Sequence, residues 1–344
     1  MARGVIAYSG LITKTRAMKK NLLNQEQLGQ LTELATVNEA VSFLRSSCGY
    51  GDIYRNDVGE WHRGQAEAMI RQVLWRDYEK LYHFCNAGQR AALELIFARY
   101  EVNYLKECLK RLYQEERIPL ADRGAFFRRH AGIPVKQVET ADNVQEFLQY
   151  MKGTPYEPVF RAPELEGAGY GAYAFALDLS YYTNVYRKIK KQRPSTQRRI
   201  LLQLFGTQID WLNIMWVYRL KRSFALRTAD IYARMIPIQY RLKGRELTRM
   251  IEAASLEELN QVLEQTAYFK GKDAYLKMED EISYGQVLDK TYRLLVREHP
   301  MSMAPVLQYL HERKLETERI TSVIEGIRYQ VPPKDIRAYI LLDT

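Results

Sequence analysis

Apolar side chains recur every three or four positions along residues 93–113 (LELIFARYEVNYLKECLKRLY). This spacing places them on one face of an α-helix that packs against a core. The face consists of Leu93, Ile96, Phe97, Tyr100, Tyr104, Leu105, Cys108, Leu109 and Leu112. The basic residues Lys106, Lys110 and Arg111 lie off this face, so the stretch predicts an amphipathic helix with a charged outer side.

Two looser versions of the same helix follow later in the chain. Residues 208–222 (QIDWLNIMWVYRLKR) align Asn213 with Asn103, and residues 316–328 (ETERITSVIEGIR) form a fainter third copy. The second copy ends, like the first, in basic residues: Arg219, Lys221 and Arg222. The sequence therefore predicts three related helices.

A short capped helix is predicted ahead of each copy. Thr36 followed by Glu39 fits a capping box, in which the two residues satisfy each other's free backbone N–H groups. Residues 140–148 (TADNVQEFL) repeat the spacing of residues 36–44 (TVNEAVSFL), and Ser255 opens a third such segment. A tyrosine follows each predicted short helix: Tyr50, Tyr156 and Tyr268.

These two landmarks recur in the same order about every 105 to 115 residues, a spacing typical of one domain. Strand patterns are nearly absent. We therefore predict an all-α fold of three similar helical domains at residues 1–131, 132–240 and 241–344. The competing interpretation is that any protein of amphipathic helices produces chance matches of this kind. The agreement of order and spacing favours the repeat.

Composition narrows the class of protein. The 344 residues are 47% hydrophobic, which is normal for a soluble globular protein, and carry a net charge of +10. A basic balance favours an anionic partner, such as nucleic acid, lipid headgroups or an acidic protein. Three cysteines without a CxxC pair, Cys48, Cys85 and Cys108, indicate a reducing compartment. No apolar run reaches the length of a signal peptide or a membrane span, so any membrane link is expected to be peripheral.

Catalytic and cofactor motifs are not found, and we expect no cofactor and no metal site. The histidines stand far apart without HExxH spacing: His62, His83, His130, His299 and His311. A phosphate-binding GxxxxGK[ST] loop and a GxSxG nucleophile elbow are also missing. Asp178 and Asp210 lie in apolar helical stretches and are candidate acids, although helix caps or salt bridges explain both more simply.

Residues 187–199 (RKIKKQRPSTQRR) hold seven Lys or Arg and no acid. Such a run either binds phosphates or other anionic groups, or is a solvated helix end. We assign a partner-binding role to Arg187, Lys188, Lys190 and Lys191, together with Arg219, Lys221 and Arg222. The nearby tyrosines Tyr181, Tyr182 and Tyr186 fit base stacking or packing between helices, and packing is the simpler interpretation.

The chain resembles a known family in four stretches taken in order: YSGLITKTRAMKKNLL, YEVNYLKECLKRLY, IDWLNIMWVYRLKR and ERITSVIEGIRYQVPPKDIRAYI. They are similar to the C subunit of the prokaryotic V/A-type rotary ATPases, the counterpart of the d subunit of eukaryotic V-ATPases. The resemblance runs essentially end to end, although it rests on helix-face patterns. Tyr100 stands where the second copy has Asp210, and Arg319 stands where the other copies have Asn.

The resemblance implies a funnel of three helical domains with pseudo-threefold symmetry, peripheral on the cytoplasmic face of a membrane. It implies a non-catalytic rotor part that joins the D and F subunits of the central stalk to the proteolipid ring, and so links ATP hydrolysis or synthesis to proton or sodium transport. It also implies one copy within a hetero-oligomeric complex. Two other classes compete: a basic helical repeat protein that binds nucleic acid, and a helical transferase acting on an anionic substrate through Asp178 or Asp210.

Overall fold

The computed structural model describes residues 2–47, 49–52, 63–114, 123–162, 167–223, 227–269 and 281–340. These residues contain no β-strand, and the predicted all-α class is confirmed. Their helices are α1 (Ala2–Lys19), α2 (Gln25–Thr32), α3 (Val37–Ser46), α4 (Arg63–Phe84), α5 (Ala87–Leu112), α6 (Gly124–His130), α7 (Val135–Thr140), α8 (Val144–Tyr150), α9 (Glu157–Phe160), α10 (Tyr170–Lys191), α11 (Thr196–Ser223), α12 (Thr228–Tyr232), α13 (Gly244–Glu252), α14 (Leu256–Glu264), α15 (Glu281–Glu298), α16 (Ala304–Arg328) and α17 (Pro333–Tyr339).

The long helices come in three consecutive pairs. Helices α4 and α5 have 22 and 26 residues, α10 and α11 have 22 and 28, and α15 and α16 have 18 and 25. The three amphipathic stretches found in the sequence lie in the second member of each pair. Short helices precede every pair, which agrees with the order predicted from the sequence.

Three of these short helices, α3, α8 and α14, begin with the same cap. The N-cap side chain accepts a hydrogen bond from a glutamate backbone N–H three residues later, in the pairs Thr36–Glu39, Asn143–Glu146 and Ser255–Glu258 (3.2, 2.8 and 3.2 Å). Each glutamate carboxylate accepts from the N–H of the residue before the cap, at 2.9, 2.9 and 2.7 Å. The second cap is Asn143 and not Thr140, which ends α7. The alignment of Thr140 with Thr36 was therefore three residues out of register.

The chain divides into two compact units. The first contains residues Met1–Leu93, Ile118–Val135 and Met301–Thr344, and the second contains Glu94–Arg117 and Lys136–Pro300. This division follows the contacts between residues. It does not test the three predicted domains, whose boundaries after residues 131 and 240 stay a prediction.

In the first unit, the C-terminal helix α16 packs against α1, α2, α3, α4 and α17. The core therefore combines residues from both ends of the chain, such as Leu31 and Leu44 with Ile320 and Ile324, all fully buried. In the second unit, α11 packs against α10, α13, α14 and α15. The fully buried side chains of Ile214, Met250 and Leu259 belong to its core.

The second long helix of each pair contacts short helices. Helix α11 packs on the short helices α13 and α14 that follow it, and Tyr104 of α5 reaches Glu139 of α7 with a 2.7 Å hydrogen bond. Helix α16 packs on the short helices α2 and α3 at the start of the chain. The terminal segments thus complete one core together.

Candidate interaction site

The basic run lies where α10 ends and α11 begins. Helix α10 finishes at Lys191 and α11 starts at Thr196, with Ser195 accepting a 3.1 Å hydrogen bond from the Arg198 backbone N–H. Ile189 is fully buried and fixes the orientation of the last turn of α10. The cations around it are therefore turned to solvent: Arg187, Lys188, Lys190 and Lys191, with Arg193 and Arg199 beyond the turn.

These exposed cations stabilise the turn but have no carboxylate partner in the described part of the chain. Positive charge in the last turn of α10 offsets the negative end of its helix dipole. The Lys190 ammonium lies 5.4 Å from the centre of the Tyr186 ring, and its carbonyl accepts a 3.3 Å bond from the Arg198 guanidinium. None of the six exposed cations forms an ion pair with a residue that the structure describes.

The neighbouring tyrosines pack between helices, as the simpler interpretation predicts. Tyr181, Tyr182 and Tyr186 are at most 7% exposed. The rings of Tyr181 and Tyr182 meet at 4.8 Å, and the Arg99 guanidinium lies 5.5 and 5.3 Å from them. Burial raises the pKa of all three hydroxyls. Their faces are not available for base stacking.

The second predicted basic group lies at the other end of α11. Arg219 and Lys221 are 20 or more residues beyond Arg199, which corresponds to about 30 Å along a helix. The structure therefore does not join the two groups into one surface. Arg219 and Arg222 are exposed, but Lys221 is half-buried and donates a 2.6 Å hydrogen bond to the Ala253 carbonyl. Lys221 thus holds the end of α13 in place.

Arg111 has the same task in the first copy of the helix. Its guanidinium donates to the carbonyls of Glu139 and Ala141, at 2.5 and 3.3 Å, where α7 ends. The sequence alignment of the two basic tails was therefore right in position. The alignment does not show that one cation in each tail, Arg111 or Lys221, binds backbone carbonyls of its own chain instead of facing a partner.

The candidate acids both have structural roles. Asp178 pairs with Arg99 at 2.5 Å and with Lys106 at 2.9 Å. Asp210 is fully buried on α11 and accepts hydrogen bonds from three successive backbone N–H groups of residues 240–242, at 3.2, 2.7 and 2.9 Å. Burial raises the pKa of Asp210, against the opposing effect of these donors and of the Tyr268 hydroxyl. Asn213 ties the same segment through two hydrogen bonds with the Ile236 backbone, at 3.0 and 2.8 Å.

A buried tyrosine–carboxylate pair occurs three times. The tyrosine that follows each capped helix donates to an acid on the second long helix of a pair: Tyr50 to Glu316, Tyr156 to Glu101 and Tyr268 to Asp210, at 2.9, 2.8 and 2.7 Å. Burial and the adjacent carboxylate raise the pKa of each tyrosine, which keeps the hydroxyl as a donor. We call these pairs the three ties. The position of each tyrosine after a short helix is visible in the sequence, but its carboxylate partner is not.

The tie in the first unit belongs to a larger charged cluster. The fully buried Arg313 guanidinium contacts Glu316 and lies 2.9 Å from the Asp77 carboxylate, which also accepts a 2.5 Å bond from Tyr309. Burial raises the pKa of Glu316, while Arg313 and the Tyr50 hydroxyl oppose the rise. The cluster joins α4 to α16. No pattern in the amino-acid sequence points to this cluster.

Other polar groups offer little chemistry. His130 stacks on Tyr82 and Phe126, at 4.7 and 4.4 Å between ring centres. Cys85 and Cys108 are buried free thiols, whose pKa values burial raises, to about 11 for Cys85 and about 12 for Cys108. His62 and Cys48 lie outside the described residues. Among the residues that the structure describes, no group of His, Cys, Asp or Glu is arranged to hold a metal ion.

A cavity of about 150 Å³ lies between α8 and α9. Its charged lining residues are Lys152, Glu157 and Arg161, of which the last two pair with each other at 2.8 Å. Among the described helices, none is both long enough and apolar enough to cross a bilayer.

Comparison with known proteins gives a consistent match. The model of a family described as ATP synthase (C/AC39) subunit matches residues 11–339. The C subunit of the A-type ATP synthase of Methanosarcina mazei is 22% identical over 336 residues, which span 94% of this chain and 90% of that protein. The proteins of the same name from Thermococcus kodakarensis and Archaeoglobus fulgidus are 23% and 22% identical, over 97% and 98% of this chain and 90% and 96% of their own length.

Proposed function

Because the chain belongs to the ATP synthase (C/AC39) subunit family, a family of structural and non-catalytic subunits, we propose that it is the central-rotor subunit that couples stalk to ring in a V/A-type ATPase. In this role it links ATP hydrolysis or synthesis to proton or sodium transport. The observation that carries the proposal is the family match over nearly the whole chain. The relatives named as the C subunit of A-type ATP synthases align over the same length.

The architecture suits a part that transmits force. Rigid transmission requires packed elements that cannot slide past one another, and long helices with buried polar ties meet that requirement. The three ties and the Arg313 cluster join helices that lie far apart in sequence, for example Tyr309 and Asp77, which are 232 residues apart. We infer that the chain is one copy of a peripheral subunit on the cytoplasmic side of the membrane.

The proposed partners are the D and F subunits of the stalk on one side and the proteolipid ring on the other. A pull-down of the tagged chain from its native membranes, followed by mass identification, tests this directly. Recovery of stalk and ring subunits together is the expected result. Recovery of the chain alone, or turnover of a small molecule by the purified chain, would contradict the proposal.

We further propose that the exposed cations at the α10–α11 turn face the membrane sector, and that Arg219 and Arg222 form a second, separate contact. The double variant Arg187→Glu with Lys190→Glu should weaken assembly of the stalk with the membrane sector. The matched control is Lys136→Glu with Lys152→Glu, which makes the same change of charge at two other exposed lysines. Unchanged coupling of a reconstituted complex that carries the first variant would refute a role for this turn.

A further inference from the structure

The exposed cations Arg187, Lys188, Lys190, Lys191, Arg193 and Arg199, which we call the basic tip, form a compact surface. The first lies four residues before the end of α10, and the last lies three residues after the start of α11. At a rise of about 1.5 Å per residue, all of them lie within roughly 6 Å of the turn along the helix axes. This is shorter than the Debye length of about 8 Å at physiological salt. A flat charged surface that approaches the turn end-on therefore meets all six cations together.

The composition of the basic tip differs from that of a protein interface. Such interfaces centre on buried aromatic anchors and are depleted in lysine. Three of the six cations of the basic tip are lysines, and its three arginines, a residue type common in protein interfaces, have no aromatic anchor among them: none of the large hydrophobic side chains exposed on the described surface belongs to residues 187–199. Single-stranded nucleic acid would need stacking platforms, and the tyrosines beside the tip are buried.

A cluster of four to eight Lys or Arg on an amphipathic helix is typical of surfaces that bind anionic lipid, and four of these cations lie in the last five residues of α10. We propose that the basic tip binds anionic phospholipid headgroups of the membrane on which the complex lies. This inference rests on the proposed function, because that function places the chain at a membrane surface. Binding is electrostatic and does not involve insertion, and each cation near an anionic bilayer strengthens it about five-fold (~1 kcal/mol).

The test uses the purified full chain and vesicle sedimentation. One set of vesicles contains about three parts phosphatidylcholine to one part phosphatidylglycerol, and the other contains phosphatidylcholine alone. We expect the chain to sediment with the anionic vesicles only, and added salt should release it. The variant Arg187→Gln/Lys188→Gln/Lys191→Gln removes three cations that make no described side-chain contact. It should bind anionic vesicles about 100-fold more weakly.

A matched variant separates the basic tip from net charge. The substitutions Lys136→Gln, Lys152→Gln and Arg245→Gln remove three exposed cations elsewhere in the second unit. Binding within about two-fold of the wild type supports a localised site, because attraction falls off within a Debye length. An equal loss in both variants would overturn the proposal, as would equal binding to neutral vesicles or no binding at all. Full displacement of the anionic vesicles by an equimolar DNA duplex would instead assign the tip to nucleic acid.

The two proposals can fail separately. If the tagged wild-type chain recovers no rotary ATPase subunits from native membranes, the proposed function fails, whatever the vesicles show. If it recovers them and the triple variant still binds anionic vesicles like the wild type, the lipid-binding inference alone fails.

Discussion

Replacing Arg313 by methionine tests whether the buried charged cluster holds the two ends of the chain together. The substitution keeps a long side chain of similar shape, so the cavity it leaves is small. It removes the only cation that contacts Glu316 among the described residues. Arg313 is fully buried, while the side chains of Asp77 and Glu316 are 3% and 6% exposed.

The expected loss can be worked out from the contacts that remain. Asp77 keeps the Arg76 guanidinium at 3.2 Å, so the loss falls mainly on Glu316. Glu316 keeps the Tyr50 hydroxyl at 2.9 Å and the Leu23 backbone N–H at 2.5 Å, but no charge partner. Removing one partner of a buried pair costs about 3 to 5 kcal/mol. With these remaining donors we expect about 3 kcal/mol, a large part of the ~5 to 15 kcal/mol that holds a typical domain folded.

The loss should also depend on pH in a defined direction. The pKa of Glu316 is raised above its ordinary value of 4.5 because burial disfavours the charged form. A carboxyl of this kind stabilises the fold most at low pH, and the contribution is lost as pH rises from about 4.5 through the raised pKa. Arg313 opposes the rise, so its removal moves the pKa of Glu316 further up. The cost of Arg313→Met should therefore be larger at pH 8 than at pH 5.

Hydrogen exchange of the amides in α4 and α16 measures the local free energy of opening, which avoids assuming that two compact units unfold in one step. The control is Lys19→Met, because Lys19 pairs with Glu312 of α16 at 2.7 Å but is 47% exposed. An exposed pair contributes at most about 1 kcal/mol. The reasoning is refuted if the two substitutions cost the same, or if the cost of Arg313→Met grows as pH falls.

Two further substitutions, Tyr268→Phe and Gly206→Ala, test the packing of the second unit, with Gly285→Ala as a control. Tyr268→Phe removes the hydroxyl that donates to the buried Asp210 and should lower the free energy of unfolding, measured by urea denaturation, by about 1.5 to 3 kcal/mol. A change near zero would mean that the three backbone donors to Asp210 suffice without it. Gly206→Ala places a Cβ 2.3 Å from Cγ of Tyr240 and should lower the melting temperature by an amount equivalent to about 1 to 3 kcal/mol. At Gly285 an added Cβ meets open space, so Gly285→Ala should raise the melting temperature. Equal effects of the two substitutions would contradict the close approach of Tyr240 to Gly206.

Local patterns in the sequence predicted the elements well and their partners poorly. Apolar spacing located the second long helix of each pair, because the spacing depends only on which face of that helix is buried. The sequence predicts the second cap at Thr140, three residues before the Asn143 cap of the structure, because threonine also serves as an N-cap and its spacing to Phe147 and Leu148 matches that from Thr36. The packing of α16 on α2 and α3 has no local signal, since it depends on which helix completes which core.

The same limit applies to the candidate site. A run of cations without acids is visible in the sequence, and the structure places it at a solvent-exposed turn. Lys221 could not be told apart from Arg219 and Arg222, because its role depends on the position of the Ala253 carbonyl, which lies 32 residues away. The three ties did leave a trace. A tyrosine follows each capped helix, and each second long helix carries an acid at Glu101, Asp210 or Glu316. Only the structure shows that the two signals are one contact.

The ties bear on whether the repeat arose by chance resemblance among amphipathic helices. Chance similarity would reproduce apolar spacing, which many helices share, but it would not place a buried hydrogen bond in every copy between the tyrosine after the capped helix and an acid on the second long helix. The donor is a tyrosine in all three ties, and the acceptor is a carboxylate on the second long helix. Glu101 lies one residue beyond Tyr100, the position that aligns with Asp210. The same kind of contact thus occurs in each copy, as a threefold repeat predicts, and the boundaries of the three domains stay a prediction. In a subunit proposed to carry torque, such ties would resist separation of each long helix from the capped helix it holds.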